Sequence, residues 1–286
     1  MRFLRLAICL LLGCFLLPLA AAAASYDTYT YTYEGEPVLS PHAYLPSQVA
    51  YFDEDGIGGL SEPSDIVAGP DGRVYIADTG NSRIVVADSE MRAVAVIDSF
   101  TAPGGAADGF NRPQGLFVTA DGTLYITDTG NNRVVILRTD GTCVGIVAQL
   151  SDPLLPEGFV FSPTALAVDT LGRMYVLSDN TTMGVMAFDR NLVFEGFFGP
   201  QKVLPSNISF LRRLLMTEEQ RERILQSVPT TYSNITADKD NFLFVTNKSI
   251  PLGYIVGAVQ MRSSDSAYAV VKRLNPAGED ILLRNG

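Results

Sequence analysis

The chain has 286 residues, of which 47% are hydrophobic and 18% charged. That length admits one large domain or two ordinary ones, and that composition excludes a chain disordered throughout. Lys and Arg number 21 against 31 Asp and Glu, a formal charge of −10 with no long basic run. Such a surface repels phosphate backbones, which argues against a nucleic-acid partner.

The first 24 residues read as an export signal. Met1 to Arg5 is short and basic, Leu6 to Ala24 carries no charge, and the segment closes on a small-residue run, Ala20 to Ala24. Basic start, apolar middle and small-residue exit define a secretory signal, with cleavage after Ala24. Uncleaved, the stretch is long enough to anchor the chain in a bilayer. Leu11-Leu12-Gly13-Cys14 offers a third reading, lipidation at Cys14, although an apolar run still follows that cysteine. Cys9 and Cys14 lie inside the signal, so after cleavage only Cys143 remains and no internal disulfide can form.

Residues 25–62 form an N-terminal strand region. Tyr26 to Tyr33 alternates Thr and Tyr, a strand pattern. Gln48 to Phe52 resembles the outer strand of a sheet, and either stretch is placed to complete a later one. His42, the chain's one histidine, has no second metal ligand and no positioned nucleophile beside it, so it reads as a loop residue.

From residue 63 the sequence repeats. Pro63-Ser64-Asp65-Ile66-Val67 returns as Pro113-Gln114-Gly115-Leu116-Phe117 and as Pro163-Thr164-Ala165-Leu166-Ala167, and a fourth copy begins at Tyr232-Ser233-Asn234-Ile235. Each copy continues with a turn (Asp71-Gly72, Asp121-Gly122, Leu171-Gly172, Asp240-Asn241) and a β-rich run such as Val74-Tyr75-Ile76. Gly and then Asn best tolerate the positive φ of such turns. In two copies a further segment recurs nearly verbatim: Asp78-Thr79-Gly80-Asn81-Ser82-Arg83 and Asp128-Thr129-Gly130-Asn131-Asn132-Arg133. A fourth strand follows, for instance Ala93 to Ile97. Four-stranded units without crossover helices bury both faces only by stacking around an axis, as β-propellers do.

The Gly-Phe-x-x-Pro start (Gly109 to Pro113, more loosely Gly59 to Pro63), the Asp-Gly hairpin and the Asp-Thr-Gly-Asn-x-Arg turn resemble the NHL repeat over about residues 46–286. Copy three departs, with Ser178 for the turn Asp and Met183 for the Arg. In copy four Asn247 replaces the turn Asp and Ile250 the turn Asn. The resemblance implies an all-β, NHL-type β-propeller, six-bladed if complete. Four recognisable four-stranded blades are present, at 63–112, 113–162, 163–231 and a truncated 232–286. Thr217 to Gln220 has capping-box spacing between apolar runs, so a helical insertion is expected over about 210–228. The final blade breaks off at the start of its fourth strand, which reads as a fragment. Exported relatives of this layout are often followed by a membrane-embedded domain.

The recurring Asp78, Asn81, Arg83, Asp128, Asn131 and Arg133 read as structural braces, because a structural repeat forces such recurrence. Residues that vary between copies near the blade entrances are the binding candidates: Asp65, Asn111, Arg112, Gln114 and Asn234. The expected function is an extracellular or cell-surface binding or scaffold propeller for a protein, peptide or glycan, without a cofactor. Membrane association would come from an uncleaved signal or a missing C-terminal domain. The enzyme alternative is a gluconolactonase-like or lyase-type propeller with Ca²⁺ or another divalent ion in the channel. Its ligands would fall at Asp65, Gly115, Ala165 and Asn234, two of which offer no side-chain oxygen. Asn180, Asn207, Asn234 and Asn247 open glycosylation acceptor patterns that read as chance occurrences in a bacterial-type exported chain.

Overall fold

The computed structural model describes residues 28–32, 36–40, 48–53, 56–138, 140–181, 183–199, 232–248, 250, 253, 255–256, 260 and 269–282. The signal segment, His42, Asn207 and the expected helix at 210–228 lie outside these residues. The chain divides into two compact units, Met1–Ala50 and Tyr51–Gly286.

In the first unit, β1 (Thr28–Tyr31) pairs antiparallel with β2 (Pro37–Ser40), with Thr28 opposite Ser40 and Tyr31 opposite Pro37. The Thr/Tyr alternation therefore forms a local hairpin. Gln48 to Phe52 is not a strand: Gln48 to Tyr51 is irregular and Phe52 opens a turn. The stretch is too short of β-branched residues to hold an extended conformation without a partner.

The second unit is built from blades. The first contains β3 (Pro63–Ala68), β4 (Val74–Asp78), β5 (Arg83–Ala87) and β6 (Ala93–Ile97). The second contains β9 (Pro113–Val118), β10 (Leu124–Asp128), β11 (Arg133–Leu137) and β12 (Cys143–Ala148), and the third β13 (Pro163–Val168), β14 (Met174–Ser178), β15 (Val185–Phe188) and β16 (Phe194–Phe198). Each is an antiparallel meander in sequence order. The fourth has three described strands, β17 (Asn234–Ala237), β18 (Leu243–Thr246) and β19 (Val271–Leu274). A bridge from Leu274 to Asp280 follows the turn at Asn275 to Gly278.

First strands of successive blades lie beside one another, β3 by β9, β9 by β13 and β13 by β17, so they form the inner side of the arrangement. Between blades the side chains interleave with period two. Tyr75, Ala77, Ile84 and Val86 meet Leu116, Ile126 and Val135 between blades one and two. Val134 and Ile136 point the other way, against Leu166, Met174, Val176 and Phe188 of blade three. Ala165, Tyr175 and Leu177 then meet Ile235, Leu243 and Val245 of blade four. Each fully buried Val, Leu, Ile or Phe contributes about 1.5–3 kcal/mol.

Two elements had no clear signal in the repeat. β7 (Ser99–Thr101) and β8 (Ala107–Gly109) form a hairpin between blades one and two, and Phe100 and Phe110 stack beside it with centroids 5.2 Å apart. In blade four, Gly253, Ile255, Val256 and Gln260 have helical backbone between β18 and β19, where the other blades have a short turn.

Candidate functional site

The Asp-Thr-Gly-Asn-x-Arg segment places its side chains by local geometry. Asp78 ends β4, a single 3₁₀ turn runs over Thr79–Asn81, and Ser82 takes a left-handed φ of 54°. The second copy matches it almost atom for atom, with Asn132 at φ 55°. Asp78 and Asp128 are both fully buried. Asp78 Oδ2 accepts Arg83 Nε at 2.6 Å and Asn81 Nδ2 at 2.9 Å, while its Oδ1 accepts the Ser61 amide at 2.7 Å. Asp128 makes the corresponding bonds to Arg133 Nε (2.7 Å), Asn131 Nδ2 (2.8 Å) and the Asn111 amide (2.7 Å). Every polar arm is thus spent within the blade. Arg83 adds bonds to the Ile57 and Gly58 carbonyls. Arg133 instead grips Asp108 at 2.6 and 3.1 Å, which pushes the Asp108 carboxyl below its ordinary pKa and raises that of Arg133.

In blade three, Ser178 Oγ still accepts the Ser162 amide at 3.1 Å. Met183 supplies no cation, and Asn180 Nδ2 donates to the Val160 carbonyl at 3.0 Å. In blade four, Asn247 is buried and its amide bonds to the Val270 carbonyl.

Neighbouring blades are stitched by threonines. Thr79 Oγ1 donates to the Pro113 carbonyl and Thr129 Oγ1 to the Pro163 carbonyl, both at 2.6 Å. Ser64 Oγ reaches the Gln114 carbonyl at 2.6 Å. In each of the first three blades the register slips just after the opening proline, a β-bulge that re-aims the side chains there.

The five candidate binding residues divide. Asn111 is absorbed by the blade, since its Nδ2 donates to the Gly130 carbonyl and its own carbonyl accepts Gly130 N–H. Arg112 holds a positive φ of 50°, as Glu62 does (φ 47°) at the matching position of blade one. Their side chains meet, Arg112 Nη2 to Glu62 Oε2 at 2.8 Å, with more than half of each exposed. Gln114 is half-buried on β9. Asn234 is exposed and its Oδ1 accepts Ile235 N–H at 2.7 Å. Asp65 Oδ1 makes the same bond to Ile66 N–H at 2.9 Å, while its Oδ2 crosses the seam to Leu116 N–H at 2.8 Å. Burial pushes the Asp65 pKa up, in opposition to those two donors. The structure therefore brings Asp65 and the backbone carbonyl of Gln114 to one seam and Arg112 to the adjoining entrance, and leaves Asn234 on blade four. Glu62 had escaped notice in the sequence, although its register with Arg112 could have revealed it. Among the described residues, no three His, Cys, Asp or Glu side chains converge in a way that could hold a metal ion. Nor is any helix among them long and apolar enough to cross a membrane.

A family model described as NHL repeat matches residues 60–87 and 110–137, the first and second blades up to their third strands. No curated protein matches the chain in sequence. Among solved structures, virginiamycin B lyase from Staphylococcus aureus is similar at 11% identity and a TM-score of 0.41, covering 88% of this chain and 60% of that one. Hydrazine synthase of Kuenenia stuttgartiensis is similar at 11% identity and a TM-score of 0.46, covering 85% of this chain and 52% of that one. A streptogramin B lyase has 15% identity and a TM-score of 0.41, with coverages of 77% and 53%. The chain thus spans between half and six-tenths of the length of these structures.

Proposed function

Because the chain belongs to the NHL-repeat β-propeller family, we propose that it is a non-catalytic binding or scaffold propeller for a protein, peptide or glycan. Its ligand-facing surface in this reading is the rim of blade entrances. One observation carries the reading. The brace residues are consumed by internal bonds, whereas the position before the opening proline, held at positive φ in both of the first two blades, carries Glu62 in one and Arg112 in the other. A position that backbone geometry repeats and chemistry does not is free to be shaped by a ligand.

The first 24 residues support a site of action outside the cytoplasm. N-terminal sequencing of exported protein should then begin at Ser25.

The function is tested by presenting the exported chain to peptide and glycan arrays. A defined set of ligands should bind, and Arg112→Glu should weaken that binding while leaving the melting temperature nearly unchanged. A thermal-shift series with Ca²⁺, Zn²⁺ and a chelator, paired with a lactone-hydrolysis assay, tests the enzyme alternative. A metal-dependent rise in melting temperature with lactone turnover would overturn the scaffold reading.

A further inference from the structure

The outer strands of the first three blades each end a sheet, and they are protected to different degrees. β6, β12 and β16 share a β-bulge, with Val94, Val144 and Glu195 as the extra residue. A bulge twists an edge away from flat pairing, and a charge or a covering segment adds to that protection. Blade three carries the charge, Glu195. In blade two the β7–β8 hairpin reaches the start of β12 through the bridge between Thr101 and Thr142. β6 has neither device. Its sequence is Ala93-Val94-Ala95-Val96-Ile97, and among the described residues its strand partner is β5. Val94 is 51% exposed, and Ala95 is exposed beside it.

The flanking charges select what such an edge can meet. Arg92 precedes the strand and Asp98 follows it, both exposed and both three residues from Ala95. An antiparallel second copy of the strand, related by a two-fold at Ala95, therefore sets Arg92 opposite Asp98 at both ends and Val94 opposite Val96. Residues directly opposite in such a pair have Cβ atoms about 4.5–5.5 Å apart, within reach for β-branched packing and ion pairing. Moving the two-fold to Val94 sets Asp98 opposite Glu90, two like charges. Moving it to Val96 sets Asp98 opposite Val94 and Arg92 opposite the buried Phe100. Of the three registers, the one at Ala95 alone matches charge with charge. Arg92 is 68% exposed, and its contacts with Asp88 and Glu90 lie within its own surface turn. It can take a second carboxylate from outside, as Arg133 holds both Asp108 and Asp128.

We propose that β6 is a self-association edge, on which two copies of this chain pair their blade-one outer strands antiparallel about a two-fold at Ala95. The contact is isologous, so it closes at a dimer and does not propagate into a filament. Each bulge meets Val96 of the second copy, and the two bend the shared sheet alike. The inference goes beyond the binding reading and does not depend on what the entrance rim captures.

Sedimentation velocity of the exported chain over a concentration series tests it. The salt is set near 0.15 M, where repulsion between two chains of formal charge −10 is screened within about 8 Å. The wild type should pass from monomer to dimer with rising concentration and stop there. Asp98→Arg and Arg92→Asp should each weaken the dimer roughly tenfold or more, because each sets like charges against each other at both ends. An equal mixture of the two single variants should regain the dimer, with one copy supplying both cations and the other both anions. Melting temperatures near the wild type's show that these surface variants are folded. A wild type that stays monomeric at every concentration overturns the proposal. So does a dimer that survives both single variants, or a mixture no more dimeric than its components.

Discussion

Arg133 donates through Nε to Asp128 Oδ2 at 2.7 Å, and Asp128 has no exposed surface. Removing the arginine leaves a buried charge without its cation, which destabilises a fold by about 3–5 kcal/mol. The third blade shows a composition that avoids the debt, with Ser178 and Met183 at the two positions. Arg133→Met alone is therefore expected to lower the urea midpoint sharply, and Asp128→Ser combined with Arg133→Met to recover part of the loss. Urea titrations of the wild type, both single variants and the double variant measure the coupling. Strict additivity would show that the two side chains do not act as a pair.

At Gly115 two blades approach each other closely. A Cβ built there would lie 2.7 Å from the Thr164 carbonyl oxygen and 2.8 Å from Ala165 Cα, both backbone atoms of the next blade. Backbone cannot swing aside as a long side chain can, so Gly115→Ala should cost about 1–3 kcal/mol by forcing the seam open. Gly253, helical and with nothing within 4 Å of its Cβ position, is the control. Gly253→Ala should be neutral or gain about 0.5–1 kcal/mol. Melting temperatures of the two variants decide, and equal values would rule out the close approach.

Blade number, strand order and register were legible because period-two alternation, Asp-Gly turns and opening prolines recur at fixed offsets. Even the changed third copy obeys them, since Pro163 still pairs with Ser178 as Pro63 does with Asp78. The β7–β8 hairpin was not legible, because Ser99–Thr101 and Ala107–Gly109 are too short for a periodic signal and their pairing depends on a loop rich in Gly and Ala. The site was only partly legible. Asn111 varies between copies and so resembled a ligand contact, yet its bonds to Gly130 depend on how two distant turns meet. Asp65 was visible as a carboxylate, but its bond across the seam to Leu116 N–H depends on how blades stack.

Thr79 and Thr129 join blades that share no strand pairing. Each hydroxyl satisfies a carbonyl of the following blade at 2.6 Å. Thr→Val preserves shape and leaves the Pro113 or Pro163 carbonyl short of a donor, at about 1 kcal/mol per site. Both variants should melt lower by a few degrees and should be cleaved faster at blade junctions in limited proteolysis. Wild-type cleavage rates in both would mean that these two hydroxyl bonds do not help to hold the blades together.

Two carboxylates give opposite pH signatures. Hydrogen bonding from Arg133 holds Asp108 below its ordinary 3.8. Its contribution is therefore present above that value and is lost as pH falls through the lower, folded-state pKa. Asp108→Asn should be less stable than the wild type at neutral pH, with the gap closing in acid. Burial moves Asp65 the other way, above 3.8. Its folded state holds a proton that the unfolded chain has already released, so stability falls as pH rises through that window. Relative to the wild type, Asp65→Asn should therefore gain between about pH 4 and neutrality, after an offset for the lost Leu116 bond. Urea midpoints from about pH 3 to about pH 7 test both. Variant-minus-wild-type differences that slope in the same direction would contradict the assignment of one anion as paired and the other as unpaired.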